Sequence, residues 1–227
     1  MSNNNIPKDI YTPELASQRN PVAIESFDYN ILLDALIEDI YSNPDETAGS
    51  NHPFLEFVRQ IESSGDPQAF HDDSKAAGLY QFRPRTVTSA KKRASMIGIS
   101  DDFIKNLDDD PRKWTRKQSD VMFLANIFTR GVPKGYNTYN KLPGREGLVD
   151  DLIEKAFVDY DRTSMEDLYY TLHHITEFEK YPDTRGIPPD AISNVNRAVL
   201  PAPTENNFTN FMDILQSDFD KWSKENK

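Results

Sequence analysis

Apolar residues recur along most of this chain at helical spacing. Leu32, Leu33, Leu36, Ile37 and Ile40 share one side of a helix predicted over residues 26–42. Phe54, Phe57, Val58 and Ile61 form the stripe of a second, over residues 53–64, which opens on Pro53, where a first turn tolerates proline. The pattern predicts further helices over 85–97, over 114–129 (Val121, Leu124, Ala125 and Phe128 in register), over 146–160 and over 164–178. Thr163 and Glu166 stand at capping-box spacing before the last of these. Period-two alternation is scarce, and "GLYQF", residues 78–82, is the best strand candidate. The expected fold is mainly α with at most a small β-hairpin.

Proline and polar stretches divide the chain. Residues 1–25, with Pro7, Pro13 and Pro21, read as an extended arm, and "SNPDETAGSN" reads as a linker. "RGVPKGYNTYNKLPGREG" is a turn-rich excursion, and "YPDTRGIPPDAI" and "VLPAPTEN" are irregular. The expected organisation is an N-terminal arm with a short helix (1–50), one helical domain (51–185), and a proline-rich linker with a C-terminal helix (186–227). In that last helix, predicted over 206–223, Phe208, Phe211, Met212, Leu215, Phe219 and Trp222 make one apolar face. Such a face needs a partner, either its own domain or a neighbouring subunit.

A chain of 227 residues is long enough for one sizeable core. Hydrophobic residues make up 37% and charged residues 28%, a polar but globular balance. No stretch approaches the roughly 20 apolar residues of a membrane span, and the N-terminus lacks the basic-then-apolar pattern of a secretory signal. With no cysteine, disulfides and thiolate metal sites are excluded. The formal charge of -11 argues against a direct nucleic-acid role. The basic run Lys91, Lys92 and Arg93 reads as a solvated helix face.

Glu62 changes the picture. It falls in the last turn of the 53–64 helix, where the helix's partial negative charge disfavours an acid. Leu55, Val58 and Glu62 are spaced i, i+3 and i+7, so Glu62 lies at the edge of the apolar stripe. Partial desolvation and the helix C-terminus both favour the neutral carboxyl, which suits a general acid for glycosidic-bond cleavage. The plain alternative is a solvated glutamate at a helix end. His173 and His174 are adjacent and point about 100° apart on a helix, so they do not share a zinc-binding face. "HDDSK", with Asp72 and Asp73, lacks calcium-loop spacing.

The stretch "IESSGDPQAF…SKAAGLYQFRPRT" resembles the signature of the lytic transglycosylase branch of the lysozyme-like superfamily. The matching residues are Glu62, Ser63, Ser64, Ala69, Ala76, Gly78, Leu79, Gln81, Pro84 and Thr86; Tyr80 stands where the family usually has Met. "DDDPRKWTRKQSDVMFLANIF" is similar to the family's linking segment, and the resemblance spans about residues 51–180. It implies Glu62 as the catalytic acid and Ser63, Ser64, Gly78, Leu79, Tyr80 and Gln81 along the sugar groove. A third motif, a tyrosine that approaches the glutamate, has two candidates. "TSMEDLYYTLHHI" supplies Tyr170 when aligned on His173, with Thr176 where a glycine is usual; "NTYNKL" supplies Tyr139 and Asn140.

The resemblance implies a reaction without cofactor or metal. One glutamate protonates the glycosidic oxygen, the substrate's N-acetyl group assists, and the same glutamate then takes the proton of the N-acetylmuramic acid 6-hydroxyl to give a 1,6-anhydro ring. Hydrolytic glycosidases usually employ two carboxylates; the loop acids Asp66, Asp72 and Asp73 are fixed by no motif, which fits the single-glutamate scheme, while hydrolysis is not excluded. The acidic charge gives no attraction to an anionic wall. Delivery within a phage particle, docked through the arm and the C-terminal helix, is the expectation. A weak or inactive lysozyme-like structural subunit and a free endolysin are the alternatives.

Overall fold

The computed structural model describes residues 29–45, 47–132, 147–157, 159–160 and 162–173. Seven α-helices run through these residues: α1 (Tyr29–Ser42), α2 (Pro53–Ser63), α3 (Pro84–Ala94), α4 (Asp101–Asn106), α5 (Arg116–Asn126), α6 (Leu148–Phe157) and α7 (Arg162–His173). Strands β1 (Phe70–His71) and β2 (Ala76–Ala77) pair antiparallel between α2 and α3, with Phe70 opposite Ala77 and His71 opposite Ala76. The architecture is mostly helical with one small hairpin, as the periodicity predicts. No helix among the described residues is long and apolar enough to cross a membrane.

The predicted stripes do the packing. Leu32, Leu33, Leu36, Ile37 and Ile40 of α1, Phe54, Phe57 and Val58 of α2, and Val121, Leu124, Ala125 and Phe128 are all buried in one core cluster. The residues of α1, read from sequence as a short helix after the N-terminal arm, share a core with the helix that carries Glu62. Helices α3 and α1 pack on α5, while α6 and α7 pack on each other and on α2.

Local differences from the sequence reading have local causes. "GLYQF" is a turn, not a strand: only Phe82 bridges back to Ala77, and the hairpin lies just before it. The helix predicted over 114–129 starts at Arg116 behind a Thr115–Gln118 capping box and passes into a π turn, Ile127–Gly131. Helix α4 was not predicted; with six residues it is too short to show a period, and the Ser100 hydroxyl, accepting from the Phe103 amide, starts it. The N-terminal arm, Tyr139 and Asn140, His174, Thr176 and the C-terminal helix lie outside the described residues.

Candidate active site

Helix α2 presents Glu62 at its end because the chain stops being helical immediately afterwards. Ser64 takes the left-handed conformation (φ 56°, ψ 27°), and the amides of Ser64 and Gly65 close on the Gln60 and Arg59 carbonyls, at 3.1 Å and 3.2 Å. The Ser63 hydroxyl lies 3.0 Å from the Arg59 carbonyl and 2.9 Å from that of Leu79. Ser63 therefore ties the helix end to the following loop, and Ser64 serves as the turn residue. Glu62 itself is half-buried, in keeping with its place at the edge of the stripe.

That loop is folded on itself. The Gly78 amide donates to the Ala69 carbonyl at 2.9 Å, and Ala77 and Phe82 exchange hydrogen bonds at 3.1 Å and 3.0 Å. Gly78 has φ +74°, and a Cβ there would stand 2.9 Å from the Pro111 carbonyl oxygen, so the position has room for glycine alone. The Gln81 amide, expected along the sugar groove, is turned inward: Nε2 donates to the Gly78 carbonyl at 2.9 Å and lies 3.3 Å from that of Ala69. Gln81 holds the loop's shape.

Tyr80 does not line a groove. It is 2% exposed, stacks on Phe123 with ring centroids 4.2 Å apart, and donates its hydroxyl to Asp120 Oδ1 at 2.7 Å. Burial raises the phenol's pKa well above its ordinary value. The hydroxyl, which a methionine lacks, gives Tyr80 a reason to face inward, because a buried acceptor sits forty positions later on α5. Leu79 is likewise core, at 4% exposure, and Gly78 is buried.

Asp120 is the centre of a buried ionic cluster. Arg59 Nη1 donates to Asp120 Oδ1 at 2.6 Å, Nη2 donates to the Ser50 carbonyl at 2.8 Å and to Glu56 Oε2 at 2.7 Å, and the Ser50 amide donates to Asp120 Oδ2 at 2.8 Å. Arg59 and Asp120 are 1% and 0% exposed at their side chains. Burial opposes the Arg59 charge, but Asp120, Tyr80 and Glu56 outweigh it and push its pKa up. Burial would also raise Glu56, yet Arg59, Gln60 and Arg116 hold it below its usual value. This cluster fastens α2, α5 and the Gly78–Gln81 turn together, three residues from Glu62.

Among the described residues a hydroxyl from α7, that of Tyr169, meets Glu62. Tyr169 is 3% exposed, stands edge-on to Phe57 with ring centroids 6.4 Å apart, and donates to Glu62 Oε1 at 2.5 Å. The alignment on His173 places the motif tyrosine one residue later, at Tyr170, whose side chain is outside the description, as is that of His173. A helical wheel carries the missing signal: Met165, Leu168 and Tyr169, spaced i, i+3 and i+4, are the buried face of α7.

The loop acids stay at the surface. Asp66 accepts from the Gln68 amide, and Asp72 pairs with Lys75 at 3.9 Å while 91% exposed. The site therefore has one half-buried carboxyl, a tyrosine hydroxyl fixed upon it, and a loop wall braced by an ion cluster behind it. Such an arrangement can deliver a proton to, and recover one from, an oxygen laid against Glu62.

No curated protein and no solved structure matches the chain. The mostly helical architecture with its small hairpin is consistent with a lysozyme-like fold. Residues 41–109 match the family model described as Transglycosylase SLT domain, of the lysozyme-like superfamily, a segment that holds Glu62, the hairpin and Gln81 and stops short of Asp120 and Tyr169.

Proposed function

We propose that this protein is a peptidoglycan lytic transglycosylase that cleaves the β-1,4 bond between N-acetylmuramic acid and N-acetylglucosamine with Glu62 as its acid and base. The SLT match supports a peptidoglycan-cleaving function of that type. The observation that carries the finer reading is the Tyr169 hydroxyl on Glu62, from a helix outside the matched segment. Glu62 gives its proton to the glycosidic oxygen as the bond breaks, and the substrate's N-acetyl group supports the anomeric carbon. The resulting carboxylate, steadied by the Tyr169 O–H, takes the proton of the 6-hydroxyl as that oxygen closes the 1,6-anhydro ring. The proton returns to Glu62 and no water is consumed.

We place this activity in a phage particle, opening the host wall locally during genome entry. The acidic charge of -11 supports carriage to the wall over free diffusion onto it. Mass spectrometry of digested peptidoglycan tests the reaction. Anhydro-muramic ends are expected; reducing ends would make the protein a hydrolase, and uncut strands would leave it a structural subunit. Truncation after residue 186 tests the setting: the shortened protein should still cut peptidoglycan yet be missing from purified particles.

A further inference from the structure

Residues 83–98 hold five cations (Arg83, Arg85, Lys91, Lys92, Arg93) and no acid, within a chain of net charge -11. The fold sorts them. Lys91 turns inward, to the Leu107 carbonyl and to Asp109, both at 2.7 Å. Arg85 and Lys92 are exposed and seven positions apart on α3, so they share its outer face, and exposed Arg83 stands at the helix's N-cap. Arg93 lies alongside, its Nε 3.2 Å from the Thr129 hydroxyl, next to exposed Arg130. Burial, and then the nearby Arg130, lower the Arg93 pKa.

The contrast with other surface cations is informative. Lys75, Lys105, Arg112 and Lys113 each pair with an aspartate nearby in sequence. Arg83, Arg85, Lys92 and Arg130 form no ion pair among the described residues. With acids outnumbering cations 37 to 26, a group of cations that have no ion pair among the described residues is a local reversal of the protein's field. It begins two residues after Gln81 and follows an eleven-residue helix, a reach of roughly 16 Å from the wall of the site.

We infer that the outer face of α3, with Arg83, Arg85 and Lys92 and flanked by Arg130, is an exosite that grips the carboxylates of peptidoglycan's peptide stems while Glu62 works on the glycan. The inference rests on the proposed function and adds to it the part of the polymer that is recognised. A glycan strand is neutral at its acetamido groups and hydroxyls, and its muramic carboxyls are tied up as amides to the stems, so its anionic charge rides on the stems' own carboxylates, at intervals along the strand. A row of point charges on a rigid helix beside the site suits that spacing. Without it, the acidic remainder of the protein would repel the wall.

The test uses the full chain and its Arg83→Gln/Arg85→Gln/Lys92→Gln variant, pelleted with intact sacculi at low and high salt. Exposed charges of this kind contribute a factor of about two each, so the variant should bind roughly tenfold more weakly at low salt and equally at high salt. The charge-keeping variant Arg83→Lys/Arg85→Lys/Lys92→Arg should bind as wild type does. Wild type and the Gln variant should cleave at the same rate glycan strands stripped of their stems, with the lactyl carboxyls that stripping frees capped as amides. Equal pelleting at low salt, or an equal loss of binding on stripped strands, overturns the exosite. Tighter wild-type binding to a DNA fragment than to sacculi also overturns it, in favour of a phosphate-reading surface. If neither protein cuts stripped strands the glycan-cleaving reading falls, while the pelleting comparison still decides the exosite.

Discussion

The two ends of helix α2 meet the same pair of late helices in different ways. At the N-terminal end, His52 is 4% exposed; its Nδ1 accepts from the Phe54 amide at 3.2 Å, and Nε2 donates to the Phe157 carbonyl of α6 at 3.0 Å. At the C-terminal end, Glu62 is half-buried and meets the Tyr169 hydroxyl of α7. The first end is closed, with a neutral imidazole between two backbone groups. The second leaves an ionisable carboxyl at the surface of the core, oriented by a side chain. Between them, Arg59 anchors the helix to Asp120. A polar group sealed in and satisfied holds structure; one held in place and left half-open can exchange a proton.

Substitutions should separate these roles. Glu62→Gln keeps the shape and loses the transferable proton, so wall cleavage should fall about 10² to 10⁴-fold with no change in melting temperature. A variant that clears peptidoglycan as fast as wild type would move the reactive end elsewhere. Asp120→Ala leaves the Arg59 charge buried without its main partner and should cost about 3–5 kcal/mol in urea unfolding. A loss near zero would mean that the cluster does not brace the helix.

The closed end should reveal itself through acid. Burial depresses the His52 pKa from 6.5 to about 3, against the opposing Phe157 carbonyl. The folded state therefore refuses a proton that the unfolded state binds, and stability present above pH 6.5 is lost as pH falls toward 3. At pH 5 the loss amounts to about 2 kcal/mol. Denaturant titrations at pH 7 and pH 5 on wild type and His52→Gln measure it; an equally steep decline in the variant would place the sensitivity in other groups.

The smallest expected effect is the most discriminating for the open end. Tyr169→Phe removes one hydroxyl and should slow cleavage about tenfold, for about 1 kcal/mol of stability. Tyr170→Phe should slow it less. The reverse order would restore the register that the sequence motif favours.

What could be read in advance follows from the range of the signals. The α1 and α2 stripes and the place of Glu62 at the edge of its stripe are local patterns, and they emerged as predicted because helical period and burial are the same fact seen twice. Tyr80 was misread because its partner, Asp120, is forty residues away and nothing near Tyr80 announces it. Gln81 was expected to face the chemistry; the carbonyls that claim its amide exist only once the hairpin has folded. Tyr169, which the structure sets on Glu62, was within reach of a wheel, whereas the alignment on His173 pointed to its neighbour Tyr170.

The Glu62–Tyr169 pair also sets a clock. Its two residues are separated by 107 positions. At ordinary translation speeds of about 5–20 residues per second, some 5 to 20 s pass between synthesis of the carboxyl and synthesis of the hydroxyl that orients it. Helix α2 and the hairpin emerge from the ribosome early, with the acid in place but its orienting partner unmade. A nascent or prematurely terminated chain that stops short of α7 thus carries every residue of the matched segment and still lacks the Glu62–Tyr169 contact.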